Sequence, residues 1–287
     1  MALVILLSVG LTYRLSGRAL APLRHFASRM ESIQAQNLSQ PVAIPSVGDE
    51  IAQLARSFNL MLSRLDQAFV VQRQFSANAA HELRTPLAVI QTRLDLLRHQ
   101  APLTLQDYQE GLDMVATQTE RLSLLVGELL EMTQLETVQR ADSVSLPELF
   151  DEILCDLAEV AAARNVELEQ LPSEGTLIGN DTLLYRMVYN LVENGIKYNR
   201  SGGRVTVQSL RVSEHLEITV SDTGYGIPEE FQQRVFEPFF RIDKSRSRQM
   251  GGSGLGLALV HLIVDRHGGS VKVASSSSSG TVIRVVL

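Results

Sequence analysis

At 287 residues the chain has room for two or three domains. Apolar residues make up 45% and charged residues 20%, which supports hydrophobic cores and argues against wholesale disorder. A net charge of −6 gives no nucleic-acid footprint, the single cysteine, Cys155, excludes an intrachain disulfide, and no Cys/His cluster has zinc-ligand spacing.

The apolar run Ala2–Thr12 is followed closely by Arg14, Arg18 and Arg24. Eleven helical residues cover about 17 Å, short of the roughly 30 Å hydrocarbon core, so the run cannot span alone. It reads as the inner end of a truncated membrane helix, with the arginines on the cytoplasmic side; a buried helix start is the alternative. The missing positive region before it and the lack of a small-residue cleavage site after it speak against a signal peptide. Two helical stretches come next, marked by Leu23, Phe26, Met30 and Ile33 and then by Ile51, Leu54, Phe58, Met61 and Leu65. The connector Asn37–Glu50 is rich in Pro, Ser and Gly, with Val42 and Ile44 as apolar plugs. With Pro22 near its start and Gly48-Asp49-Glu50 opening the second helix, the segment resembles a HAMP relay module.

On the next helix Ala80, Leu83, Leu87, Ile90, Leu94 and Leu97 recur at alternating three- and four-residue steps, the seam of a helical bundle. At about 100° per residue, His81 points roughly 150° from the centre of that seam, so its imidazole faces solvent. Glu82 sets a carboxylate beside the ring, and Thr85 puts a hydroxyl on the same face one turn on. Pro86 cannot donate to the helix ladder and is expected to bend it. The helix breaks near Gln100–Thr104, and a second begins with Tyr108, Leu112, Val115, Leu122, Val126 and Leu129 as its seam. A hairpin cannot bury two full stripes, whereas two copies forming a four-helix bundle can, so a homodimer is expected.

Thr137–Ser145 reads as a polar hinge, and an α+β segment follows from Leu146. Its expected strands are Val166–Leu171, Thr176–Ile178, Val205–Val212, His215–Ser221, Ser270–Ala274 and Thr281–Leu287, with Ser275–Gly280 as a flexible hairpin turn. Three clusters in this segment suit a nucleotide. On the helix from Leu183 to Asn199, Asn190 and Asn194 stand four apart and Lys197 follows by three, near one face. Amide oxygens suit magnesium and a lysine suits phosphate. Ser221-Asp222-Thr223-Gly224-Tyr225-Gly226 follows a strand, with Asp222 able to accept from an exocyclic amine and the glycines admitting the base, although such a sequence also suits a plain turn. Gly251-Gly252-Ser253-Gly254-Leu255-Gly256 opens an apolar helix and offers free N–H groups to phosphate. Leu257 stands where the Rossmann spacing needs glycine, and no Gly-Lys-Ser/Thr follows to make a P-loop.

His81-Glu82-Leu83-Arg84-Thr85-Pro86 resembles the phosphoacceptor box of sensor histidine kinases, and the three clusters resemble the Asn and Gly boxes of the GHKL (Bergerat) ATPases. Phe236, Phe239 and Phe240 match the phenylalanine box between them. The resemblance implies a two-component kinase with a HAMP-like relay (20–68), a dimeric helical hairpin (69–138) and an α+β two-layer ATP-binding sandwich (139–287), after a membrane and juxtamembrane segment (1–19). It implies a bacterial inner-membrane protein whose catalytic part is cytoplasmic, with a response regulator as partner and no nucleic acid.

By that resemblance His81 accepts a phosphoryl group from ATP, Glu82 takes its proton, and Glu82 with Thr85 positions water when a regulator is dephosphorylated. Asn194 ligates Mg2+, Asn190 sits where related ATPases carry their base, and Lys197 contacts phosphate. Tyr198 stacks near adenine, Asp222 reads its amine, and Gly224 and Gly226 line it, with Thr281 following Gly280 in the closing pair. Arg241 lies by the γ-phosphate, and Gly252, Gly254 and Gly256 wrap the triphosphate. Lys244, Arg246 and Arg248 fall in the expected lid. Departures from the pattern are Gly195, where alanine is usual, Asn180, where aspartate is common, and Tyr225 at a variable position. Two rival readings are a GHKL ATPase that drives conformational change without phosphohistidine, and a scaffold acting mainly as a regulator phosphatase.

Overall fold

The computed structural model describes residues 1, 5–6, 8–10, 14, 40, 49–99, 104–134, 141–243 and 252–287. They fall into two units, Met1–Ala77 and Asn78–Leu287. Most of the apolar N-terminal run and of the stretch with Leu23, Phe26, Met30, Ile33, Val42 and Ile44 lies outside the described residues, as do Lys244, Arg246 and Arg248. Ile5, Leu6 and Val9 are helical and exposed, and among the described residues no helix is long and apolar enough to cross a membrane.

Helix α1 runs without interruption over Asp49–His99, so the second relay stretch and the His81 segment are one helix. Within the first unit its buried stripe is Ala55 and Leu62, with Phe58 and Phe69 packed against them. Leu54, Met61 and Leu65, expected to mark that stripe, are exposed, flanking it by one position or less than a turn. The face that is buried carries the small residues Ala52 and Ala55, whereas the larger apolar side chains pointed beside it.

In the second unit α1 pairs with α2, Leu105–Gln134. Thr104 and Asp107 start α2 as a reciprocal cap: the Thr104 N–H donates to Asp107 Oδ2 at 2.8 Å and the Asp107 N–H donates to Thr104 Oγ1 at 3.2 Å. The Thr104 hydroxyl, donating to Asp107 Oδ2 at 2.6 Å, and then the Thr104 N–H hold the Asp107 carboxyl below the usual carboxylate range. The two helices close on Gly111, where a Cβ would sit 2.8 Å from Leu97 Cδ1. Of the expected seams, Leu83, Ile90, Leu97, Val115, Leu122 and Leu129 are half-buried, whereas Leu87, Leu94, Tyr108 and Leu112 stay exposed in the single chain. One hairpin leaves part of both stripes open, as the pattern required.

The rest of the unit is a two-layer α+β sandwich. Its elements are β1 (Asp142–Ser145), α3 (Leu146–Asp156), α4 (Ala158–Ala163), β2 (Glu167–Gln170), β3 (Thr176–Gly179), α5 (Asp181–Lys197), β4 (Arg204–Val212), β5 (His215–Asp222), α6 (Gly256–Arg266), β6 (Ser270–Ser277) and β7 (Gly280–Val286). Five strands make one sheet in the order β2-β4-β5-β7-β6, with only β2 and β4 parallel. Alternation buries one face of it: Val205 and Val207, Ile218 and Val220, Ile283 and Val285. Against that face pack Phe150 and Ile153 of α3, Met187 and Leu191 of α5, and Val260 and Ile263 of α6. The Asn180 side chain caps α5 by accepting from the Leu183 N–H at 2.9 Å. His267 fastens the start of α5 to the end of α6, with Nδ1 2.8 Å from the Ile263 carbonyl and Nε2 accepting from the Asn180 N–H at 3.3 Å.

Two expectations need correction. Asp142–Ser145 is not hinge but strand β1, antiparallel to β3, so the sandwich starts before Leu146. Three polar residues around the single apolar Val144 carry little pattern of their own and become a strand because β3 offers an edge. The serine run is not all turn either: β6 extends to Ser277, paired with Gly280, because β7 templates it.

Candidate active site

Helix α5 turns Asn190, Asn194 and Lys197 into a cavity of about 740 Å³. Asn190 Nδ2 donates to the Arg186 carbonyl and Asn194 Nδ2 to the Asn190 carbonyl, each at 2.8 Å. With the amide hydrogens engaged on their own helix, the amide oxygens are left as acceptors, which is the donor chemistry that magnesium accepts.

Strand β5 ends at Asp222 on the opposite wall. Its Oδ1 accepts from the Gly224 N–H at 2.8 Å and the Thr281 N–H at 3.3 Å. Burial pushes its carboxyl above the usual range, and these two bonds pull it back. Two backbone donors on one oxygen orient the carboxylate and leave the other oxygen for a ligand amine. Tyr198, Gly226 and the buried Thr281 line the same end. Gly226 has φ +75°, and a Cβ there would overlap the Ser277 carbonyl, so the loop lies flat only as glycine. Gly224 sits just behind the wall, against the Tyr198 carbonyl.

The third wall is the turn through Gly252, Gly254 and Gly256, from which α6 starts. Here the Phe239 N–H donates to the Gly254 carbonyl at 2.8 Å, tying the phenylalanine segment to the glycine turn. A Cβ on Gly256 would stand 2.7 Å from Asn190 Oδ1, so turn and helix meet closely. First-turn N–H groups at a helix start suit an anion, and the cavity's size fits a nucleotide. The residues present therefore fit an adenine nucleotide with magnesium.

The helical hairpin closes the fourth side. Arg241, whose side chain is 5% exposed, lies 3.5 Å from Glu82. Arg186 pairs with Glu131 at 2.8 Å. His81 and Thr85 are exposed on α1 and lie outside the cavity lining, with Thr85 Oγ1 donating to the His81 carbonyl at 3.1 Å. The structure thus gathers eleven of the expected residues, Asn190, Asn194, Lys197, Tyr198, Asp222, Gly226, Arg241, Gly252, Gly254, Gly256 and Thr281, in one cavity together with Glu82. Sequence reasoning missed Glu128 and Glu131. Burial pushes the Glu128 carboxyl up, against the opposing pull of a Ser253 hydrogen bond and nearby Lys197, while the Glu193 and Glu131 carboxylates raise it further. The available signal was spacing: Glu128 shares a face with Leu125 and Met132, an acid set in an apolar stripe.

Three family models match in succession: the HAMP domain over residues 14–67, the His Kinase A (phospho-acceptor) domain over 71–138, and the histidine kinase-, DNA gyrase B- and HSP90-like ATPase over 179–287. In this series of domains the chain is similar to sensor histidine kinases. It is 29% identical over 293 residues to the signal transduction histidine-protein kinase ArlS of Staphylococcus aureus, a match covering 98% of this chain. The chain spans 63% of the length of that curated relative. Among solved structures, the histidine kinase ThkA in complex with response regulator protein TrrA matches with TM-score 0.61 and 24% identity, over 77% of this chain and 63% of ThkA. The Acinetobacter baumannii histidine kinase AdeS matches with TM-score 0.57 and 23% identity, over 72% of this chain and 96% of AdeS. These two likenesses concern the fold.

Proposed function

We propose that the chain is an ATP-dependent protein-histidine kinase of a two-component system. An unprotonated ring nitrogen of His81 attacks the γ-phosphorus of ATP, the P–N bond forms as the bond to the β,γ-bridging oxygen breaks, and ADP leaves. Glu82 takes the ring proton. Catalysis is then mainly positioning and charge neutralisation. Asp222 and Tyr198 hold adenine, with Gly224, Gly226 and Thr281 shaping that end. Lys197, Arg241 and the turn of Gly252, Gly254 and Gly256 hold the phosphates, and Asn190 acts beside them. Bound magnesium supplies charge neutralisation on the triphosphate, and Asn194 is the residue that would hold it. Because Glu82 faces Arg241 in the structure, transfer requires it to exchange that partner for the His81 proton.

His81 next passes the phosphoryl group to a response-regulator aspartate, and Glu82 with Thr85 positions water for the reverse, phosphatase duty. Two copies associate through the open hairpin seams, on which Leu87 is 48% and Leu112 61% exposed. Domains divide at 1–19, 20–68, 69–138 and 139–287, with the N-terminal segment at the bacterial inner membrane and the catalytic part in the cytoplasm.

The observation that carries this reading is one cavity joining the Asn190 face, Asp222 and the glycine turn to Glu82, the immediate neighbour of His81. Incubation with γ-labelled ATP is expected to give acid-labile, base-stable label on the protein. His81→Gln and Asn194→Ala should both abolish it, and label that survives His81→Gln would overturn the assignment.

A further inference from the structure

The serine run Ser275–Ser279 looks featureless, yet the β6–β7 pairing treats its members differently. Val273 pairs with Ile283 and Ser275 with Val282, so Ala274 is an extra residue, a β-bulge. Val271 and Val273 face inward, and simple alternation would turn Ser275 and Ser277 the same way. The bulge shifts the phase by one. Ser276 then pairs with Thr281, whose side chain is buried on the cavity face, while Ser275 and Ser277 are exposed.

On that face the Ser276 hydroxyl gathers three groups. It accepts from the Ile227 N–H at 2.7 Å, and it lies 3.1 Å from Thr281 Oγ1 and 3.4 Å from the Gly280 carbonyl. Ile227 and Gly226 line the cavity, and the Thr281 N–H is one of the two donors that orient Asp222. Ser276 itself does not line the cavity. It joins the two pieces of backbone that do, the loop after Asp222 and the start of β7, across a gap that no strand pairing spans.

We propose that Ser276 is a positioning residue of the nucleotide pocket, set on the cavity side by the Ala274 bulge to hold the Gly224–Ile227 loop against the Asp222–Thr281 pair and thereby to set adenine-nucleotide affinity. This rests on the reading of the cavity as an adenine-nucleotide pocket. Removing the hydroxyl strands the Ile227 N–H and frees the loop, so the effect falls on binding rather than on the phosphoryl-transfer step at His81.

The experiment uses the full chain and a ribose-fluorescent ADP as probe. Ser276→Ala is expected to raise the Kd roughly five- to tenfold, the loss of about one hydrogen bond. The rate of His81 labelling at saturating ATP should stay within about twofold, so that KM moves and kcat does not. Ser276→Thr, which keeps the hydroxyl and suits a strand, should restore the Kd to within about twofold. Ser275→Ala and Ser277→Ala should leave it unchanged. Without nucleotide, amide hydrogen exchange at Ile227 should accelerate in Ser276→Ala alone. An unchanged Kd in Ser276→Ala, an equal loss in Ser277→Ala, or a fall in kcat together with the melting temperature would each overturn the proposal. If the wild-type chain binds no probe, the pocket reading fails and this proposal with it; if it binds and Ser276→Ala binds equally, this proposal fails alone.

Discussion

Gly195 lies in the interior of α5, one residue after Asn194, and is buried. By helix propensity alone Gly195→Ala should stabilise by about 1 kcal/mol, and burying the methyl adds about 0.8 kcal/mol. The tertiary structure opposes both. A Cβ at 195 would meet both Val205 methyls at 3.1 Å, with Asp222 Cβ at 3.6 Å behind them. Val205 is fully buried on β4, and a β-branched side chain has no rotamer that withdraws both methyls. Overpacking of this kind costs roughly 1–3 kcal/mol, so the net effect should lie between about 1 kcal/mol stabilising and about 1 kcal/mol destabilising. In a Val205→Ala background the obstruction is gone, and Gly195→Ala should stabilise by about 1–2 kcal/mol. Urea unfolding followed by circular dichroism on the four proteins of this cycle measures the coupling. If Gly195→Ala gives the same gain with Val205 present as without it, the claim that this contact governs the site is wrong.

Two further outcomes follow from the packing around the site. The Glu128 carboxyl is raised in the folded chain, so its burial costs nothing below the unfolded value of about 4.3 and destabilises progressively as pH rises through the folded value. Glu128→Gln should therefore match wild type in thermal melts near pH 4 and exceed it at pH 8, and a constant offset across that range would contradict the buried-acid account. His267→Ala removes the acceptor for the Asn180 N–H and the bond to the Ile263 carbonyl, and should lower stability by about 1–3 kcal/mol in urea titration, whereas a change under about 0.5 kcal/mol would mean that the ring does not fasten α5 to α6.

Much of this site is local and was therefore legible in the chain itself. Asn190, Asn194 and Lys197 share a face because a helix repeats every 3.6 residues, and His81 looks outward for the same reason. The glycines after Asp222 and before Leu257 mark close backbone approaches wherever the chain carries them. Periodicity within one segment decided these features, together with the need for more than one hairpin to cover the leucine stripes. Other features arise only between segments far apart in sequence. Glu82 and Arg241 stand 159 positions apart, Glu128 meets the Ser253 hydroxyl and the Lys197 charge of the ATPase half, and β1 exists because β3 presents an edge. The sequence around each of those residues does not name the distant partner that it meets. Ser276 differs from the serines on either side of it only through one extra residue in the pairing of β6 with β7, and that register belongs to the assembled sheet, where hydrogen bonding between strands selects which hydroxyl turns inward.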